Sequence, residues 1–140
     1  MANTAREAMS PNAECIREDE SILDAAKKLA QLNVGAMPIC GNDERLKGML
    51  TDRDIVVKVL AAGKDPKSTR AGEFGEGKPV TIGADDSLDE ALQTMTDHKV
   101  RRLPVIDGHK LVGVLSQADL AKTMPPEKAG RLLAAISSDH

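Results

Sequence analysis

The sequence predicts a mixed α/β (α+β) fold of two tandem β-α-β-β-α repeats, packed with pseudo-two-fold symmetry. Internal repetition is the first observation. At an offset of 66, Ile16 corresponds to Ile82, Asp19 to Asp85, Ser21 to Ser87, Ala25 to Ala91, Val34 to Val100 and Pro38 to Pro104. One residue is then lost in a turn. At an offset of 65, Leu46 corresponds to Leu111, Gly48 to Gly113, Leu50 to Leu115, Thr51 to Ser116 and Asp54 to Asp119. The second observation is periodicity: short apolar runs and helical 3–4 spacings alternate in the same order in both copies. The third is size. In a chain of 140 residues each copy has about 50, marginal for a core of its own. A repeated supersecondary unit buries its apolar face against its twin, so function is expected in clefts between the halves.

In the first copy a strand is expected near 14–17. Ser21-Ile22-Leu23-Asp24 then has the S-x-x-[DE] form of a capping box, which satisfies the free amides at a helix start. Ile22, Ala25, Ala26, Leu29 and Leu32 share one face of that helix, and Asn33 and Gly35 stop it. Strands follow over 36–40 and 46–50, joined by the turn Gly41-Asn42-Asp43. Thr51-Asp52-Arg53-Asp54 opens a second helix, carrying Ile55, Val56, Val59 and Leu60 and ending at Gly63.

The second copy runs in parallel. A strand at 80–82 leads to the box Ser87-Leu88-Asp89-Glu90 and a stripe of Leu88, Ala91, Leu92 and Met95. Strands at 102–106 and 111–115 flank the turn Asp107-Gly108-His109, and Ser116-Gln117-Ala118-Asp119 opens the last helix of the repeat. Short helical lead-ins begin at Thr4-Ala5-Arg6-Glu7 and Thr69-Arg70-Ala71-Gly72. A proline is tolerated in a first helical turn, so 125–136 reads as a tail helix with Leu132, Leu133 and Ile136 on its edge. The expected organisation is a first repeat with its lead-in at 1–63, a linker at 64–78, a second repeat at 79–123 and a helical tail at 124–140.

Composition narrows the function. Net charge is −3, without the basic surplus of a phosphate-backbone binder. Phe74 is the sole aromatic residue, so base-stacking platforms are lacking and nucleic acid is not an expected partner. No apolar run approaches membrane-spanning length, and MANTAREAMSPN has no hydrophobic signal core. A cytoplasmic protein without membrane attachment is expected. Cys15 and Cys40 lie at strand ends and lack metal-ligand spacing. If those strands are neighbours a disulfide can form; the alternative is two small buried thiols in a reducing compartment.

Two elements recur in register: the proline strand (Met37-Pro38-Ile39 and Leu103-Pro104-Val105), and Gly48-Met49-Leu50-Thr51-x-x-Asp54 with Gly113-Val114-Leu115-Ser116-x-x-Asp119. On these, residues 4–121 resemble a tandem pair of cystathionine-β-synthase (CBS) domains. The segment MPICGNDERLKGMLTDRDIVVKVLAAGKDP further resembles stand-alone CBS pairs of actinobacterial type, some linked to hypoxia or stress. The resemblance implies a homodimer joined through CBS helices, to which Ile55–Leu60 and Leu120 would contribute. It also implies clefts that bind an adenine nucleotide: AMP, ADP, ATP or S-adenosylmethionine. No cofactor is required. Carried over, Thr51 and Ser116 would face phosphate, and Asp54 and Asp119 would take ribose hydroxyls.

That chemistry is sound at the level of the residues. A hydroxyl beside free amides at a helix start favours an anion, and a carboxylate one turn on accepts two O–H bonds. Yet Thr51/Asp54 and Ser116/Asp119 are also plain capping boxes, like Ser21/Asp24 and Ser87/Glu90, so spacing alone leaves both readings open. Arg101 or Arg102 could reach phosphate, while Gly35 and Ala36, their counterparts, give backbone access to an adenine edge. Asp52 and Arg53 against Gln117 and Ala118 make the two sites unequal. His98 and His109 are expected at the surface, and Gly63-Lys64-Asp65 lacks the Walker spacing. No nucleophile, base and orienter occur together, so an enzyme is not expected. Two functions remain: a nucleotide-responsive regulatory module, or a stress-associated interaction protein with empty clefts, acting through a protein partner and sensitive to the redox state of Cys15 and Cys40.

Overall fold

In chain order the elements are α1 (Ala5–Ala8), β1 (Ser10–Pro11), β2 (Ile16–Arg17), α2 (Ile22–Leu32), β3 (Ala36–Cys40), β4 (Leu46–Thr51) and α3 (Asp52–Asp54). There follow β5 (Ile82–Gly83), α4 (Leu88–His98), β6 (Arg102–Asp107), β7 (Lys110–Ser116), α5 (Gln117–Thr123) and α6 (Pro126–Ser137). The computed structural model describes residues 3–11, 14–75 and 79–137. The chain divides into two units, one formed by 14–79 and one that joins the residues before 14 to those from 80 onward.

Each unit holds one sheet, in the order β2-β3-β4 or β1-β7-β6-β5. In both, a short first strand pairs parallel with the proline strand, which pairs antiparallel with the next. The parallel partner meets only Ile39 and Cys40, or Val105 and Ile106. Pro38 and Pro104 each stand one position earlier, where that flank has no strand to bond, so a residue without an N–H is tolerated. Both proline strands shift register at the same place, between Ile39 and Cys40 and between Val105 and Ile106.

Each repeat builds its own core. Ile16, Ile22, Leu29, Ile39, Leu50 and Val59 are buried in one unit, and Met95, Leu103, Val105, Leu115 and Leu120 in the other. Ser21 and Ser87 cap α2 and α4 through Asp24 N–H and Glu90 N–H, each at 3.1 Å. Asn33 ends α2 in the left-handed region at φ 54°, and Lys99 ends α4 there at φ 53°. Asparagine is at home in that region; lysine is not, and the sequence carries no signal for that stop.

Two expectations are corrected. The lead-in expected to belong to the first repeat packs on the second. Ala5 is buried in the second core, its N–H bonds Asp86 O at 2.9 Å, and Arg6 N–H bonds Ala84 O at 2.9 Å. The second lead-in returns the exchange: Ala71 is buried in the first core, Ala71 N–H bonds Glu20 O at 2.9 Å and Gly72 N–H bonds Glu18 O at 2.8 Å. The helix after Thr51 also departs from α geometry. Its bonds run five residues back, Ala61 N–H to Val56 O at 2.8 Å and Lys64 N–H to Val59 O at 2.9 Å, so Ile55–Leu60 winds wide. Its counterpart α5 is a regular α-helix.

Cys15 and Cys40 are joined by a disulfide across the β2–β3 pair, with Cα atoms 5.7 Å apart. The tail forms α6, which packs on α4 and α5 and is held by Lys128 Nζ, 2.6 Å from Asp89 Oδ1. The side chains of Leu132, Leu133 and Ile136, and linker residues 76–78, lie outside the described residues.

Candidate functional site

The two recurring motifs stand where a strand runs directly into a helix. In the first repeat β4 ends at Thr51, opposite Ala36. Thr51 Oγ1 accepts the Asp54 N–H at 3.0 Å, and Asp54 Oδ2 accepts the Thr51 N–H at 3.0 Å. The other carboxylate oxygen, Asp54 Oδ1, lies 3.3 Å from Lys58 Nζ. Asp52 N–H bonds Gly35 O at 2.9 Å, which brings Gly35, Ala36, Thr51 and Asp54 together. The Asp52 carboxylate lies beside Gly35: a Cβ built there would be in ordinary contact with Asp52 Oδ2 at 3.5 Å.

The second repeat reproduces this skeleton with other side chains. Ser116 Oγ accepts the Asp119 N–H at 3.1 Å, and Asp119 Oδ2 accepts the Ser116 N–H at 2.9 Å. Gln117 N–H bonds Arg101 O at 2.8 Å, and Arg102 pairs with Ser116 across the sheet. Both arginines are exposed beside the motif. Among the described residues Gln117 Oε1 is buried without a hydrogen-bond partner. A buried acceptor left unmatched costs free energy, so a donor arriving there would be favoured.

These two boxes differ from the caps at Ser21 and Ser87. Reciprocal bonds between the first residue and the fourth form only at Thr51/Asp54 and Ser116/Asp119. The hydroxyl in each accepts one amide and retains its own O–H to donate. The carboxylate spends one oxygen on the cap and presents the other. In the first repeat Lys58 engages that second oxygen. Among the described residues nothing engages Asp119 Oδ1. Sequence reasoning named both boxes but missed the Lys58 contact and the orphaned Gln117 oxygen, because neither follows from spacing.

Within the first unit a groove of about 500 Å3 runs between α2 and the wide helix. Its lining is Ala26, Leu29, Ala30, Asn33, Val34, Gly35, Asp52, Ile55 and Val56, apolar except at one end. His98 and His109 are exposed. Among the described residues no three His, Cys, Asp or Glu side chains converge as metal ligands, and both cysteines are bonded to each other.

The family model of the CBS domain matches twice, over residues 5–61 and 71–126. Hypoxic response protein 1 of Mycobacterium tuberculosis is 44% identical over 135 residues, covering 96% of this chain and 94% of its own length. The crystal structure of Hypoxic Response Protein I (HRPI) with two coordinated zinc ions superposes with a TM-score of 0.81 at 47% identity, covering 87% of this chain and 99% of that one. CBSX2, solved in complex with AMP, shares the fold at a TM-score of 0.73 and 24% identity, over 86% of this chain and 95% of its own. CBS-domain proteins are commonly regulatory, and some bind AMP. With two matched domains that span most of its length, this chain belongs to the CBS-domain family.

Proposed function

We propose that this protein is a nucleotide-responsive regulatory module of the cytoplasm, a homodimer that binds rather than transforms its ligand. The ligand is an adenine nucleotide, AMP, ADP, ATP or S-adenosylmethionine, held at the Gly-x-x-[ST]-x-x-Asp motifs. The observation that carries the reading is the second motif. Ser116 keeps a free O–H, Asp119 keeps an oxygen for ribose hydroxyls, and Arg101 and Arg102 add positive charge for phosphate. Gln117 Oε1 adds an acceptor that has no other partner among the described residues. The first motif, with Gly35 and Ala36 beside Thr51 and Asp54, offers backbone access but carries the exposed Asp52 carboxylate next to Gly35. It is the weaker site for an anion and better suited to the cationic S-adenosylmethionine. No helix among the described residues is long and apolar enough to cross a membrane.

Thermal shift with AMP, ADP, ATP, S-adenosylmethionine and NAD tests this. A ligand that binds only the folded state raises the melting temperature with concentration, by about 2.7 kcal/mol of stabilisation at 100 Kd. A rise that Asp119→Ala abolishes supports the reading; a flat panel removes it.

One observation favours a second reading. The Cys15–Cys40 bridge ties the two ends of a segment that contains all of α2, and a close relative is a hypoxic response protein. A stress-associated interaction protein, acting through a protein partner and sensitive to thiol state, would ignore nucleotides and change its partner binding on reduction.

A further inference from the structure

The positions of the Cys15–Cys40 bridge are filled in the second repeat by Thr81 and Ile106, which hold no sulfur. The strand pair there keeps the same bonds without it. Ile82 and Gly83 pair with Val105 and Ile106 as Ile16 and Arg17 pair with Ile39 and Cys40. Ala84 N–H bonds Ile106 O at 2.9 Å, as Glu18 N–H bonds Cys40 O at 3.0 Å. The backbone therefore closes this strand pair without a covalent link, and the bridge is open to chemistry that the fold survives.

Two cations accompany the cysteines. Lys28 Nζ lies 3.4 Å from Cys15 O and 2.7 Å from Glu20 Oε1. Arg17 donates to Gly41 O at 3.1 Å, which sets a guanidinium one residue from Cys40. The counterparts of Lys28 and Arg17 are Thr94 and Gly83, so charge and sulfur are lost together at these positions of the second repeat. The two cysteines are also unequal: Cys15 is half-buried and Cys40 only 2% exposed. A thiol arriving from solvent meets Cys15 first. We propose that Cys15 is a site of reversible S-thiolation by a small thiol that carries carboxylates, with the buried Cys40 as leaving and resolving thiol. The incoming thiolate attacks Cys15 Sγ and forms a mixed disulfide. The Cys15–Cys40 bond breaks, its electron pair goes to Cys40 Sγ, and that sulfur takes up the proton the incoming thiol released. One disulfide replaces another, so no oxidant or reductant is consumed. In reverse, Cys40 attacks Cys15 Sγ and expels the small thiol. Fixed cations favour thiolate over thiol and attract an anionic reactant. The inference deepens the thiol-sensitive reading above: it rests on the same bridge but needs no protein partner.

Reduced glutathione is the probe. Folded wild type is incubated with it, sampled over time, quenched with N-ethylmaleimide and mapped by mass spectrometry. The expected product carries glutathione on Cys15 and N-ethylmaleimide on Cys40, with the far-ultraviolet dichroism unchanged. Glutathione on Cys40, both cysteines alkylated with no adduct at any time, or a lost dichroism signal would each overturn the proposal. Two variants separate the sulfurs. With oxidised glutathione, Cys40→Ser should be thiolated at least about tenfold faster than Cys15→Ser; equal or reversed rates would overturn the assignment. Arg17→Gln should slow glutathione more than the cationic thiol cysteamine, and equal slowing would overturn the class of thiol. A bridge that dithiothreitol opens and glutathione leaves closed would sink this inference alone. Partner binding that ignores reduction would sink only the thiol-sensitive reading.

Discussion

The two repeats share a backbone and differ in how they finish their sites. Both end a strand in a reciprocal box, and both latch the next amide onto the start of the proline strand: Asp52 to Gly35 at 2.9 Å and Gln117 to Arg101 at 2.8 Å. The first repeat then engages its other carboxylate oxygen with Lys58 and places the Asp52 carboxylate beside Gly35. In the second, nothing among the described residues engages that oxygen, and Arg101 and Arg102 are exposed beside the motif. The lesson is that the repeated spacing encodes the cap, while residues in the variable positions decide what the cap can hold.

The largest expected difference is covalent. Only the first repeat has a disulfide, and it closes a loop across a sequence separation of 25. Loop-closure entropy puts its contribution at about 3 kcal/mol, and small domains can lose more. Reduction, or Cys15→Ser with Cys40→Ser, should lower the melting temperature and raise hydrogen exchange in α2 while α4 keeps its protection. Equal loss of protection in both helices would break the distinction between the repeats. A count of two free thiols in denatured, unreduced protein would remove the bridge itself.

This difference marks what the sequence makes legible. The succession of strands and helices, the caps and the cores follow from the doubled pattern, because each rests on local spacing; the pairing of Ser10–Pro11 with β7 does not. The Cys15–Cys40 pairing stays open at that level, because it depends on which strands are neighbours. The exchange of lead-ins is invisible for the same reason: Ala5 meets Asp86, and Ala71 meets Glu20, across distant chain. The wide winding of Ile55–Leu60 is missed because Ile55, Val56, Val59 and Leu60 fit a regular helix equally well. At the sites, Thr51, Asp54, Ser116, Asp119, Gly35, Ala36, Arg101 and Arg102 do come together within their own repeats, since strand pairing and the box place them. What Lys58 and Gln117 do is set by side-chain reach, which spacing does not specify.

The exchanged lead-ins give the next test. Gly72 and Arg6 are counterparts making the same backbone bond, to Glu18 O and Ala84 O. At Gly72 a Cβ would meet Glu18 O at 2.9 Å, and a backbone atom yields poorly. Gly72→Ala should cost about 1–3 kcal/mol in chemical denaturation. Arg6→Ala removes only exposed pairs with Asp85 and Asp107, at 3.5 and 3.0 Å, and should cost less than Gly72→Ala. The reverse order would mean that the lead-ins are not held alike.

The caps themselves should be nearly equal. Asp54→Ala and Asp119→Ala each break a reciprocal box and should each cost about 1 kcal/mol. Their effects on AMP binding, read by calorimetry, should diverge: Asp119→Ala should weaken it at least about tenfold, the worth of one charge-assisted bond, and Asp54→Ala much less. Equal losses would return the two sites to symmetry.

The smallest change is the sharpest for the comparison. Lys58 is exposed, so its pair with Asp54 at 3.3 Å adds at most about 0.5 kcal/mol to stability. Lys58→Ala should therefore leave the melting temperature nearly unchanged. It should also release Asp54 Oδ1, giving the first repeat the open carboxylate that the second already has. If the engaged oxygen is what separates the sites, Lys58→Ala should strengthen S-adenosylmethionine binding, which the Asp52 carboxylate favours, and leave AMP binding at the second motif as it was. If Lys58 instead acts as a phosphate-binding cation, the same change should weaken AMP binding, and the assignment of the anion to Arg101 and Arg102 would move to the first repeat.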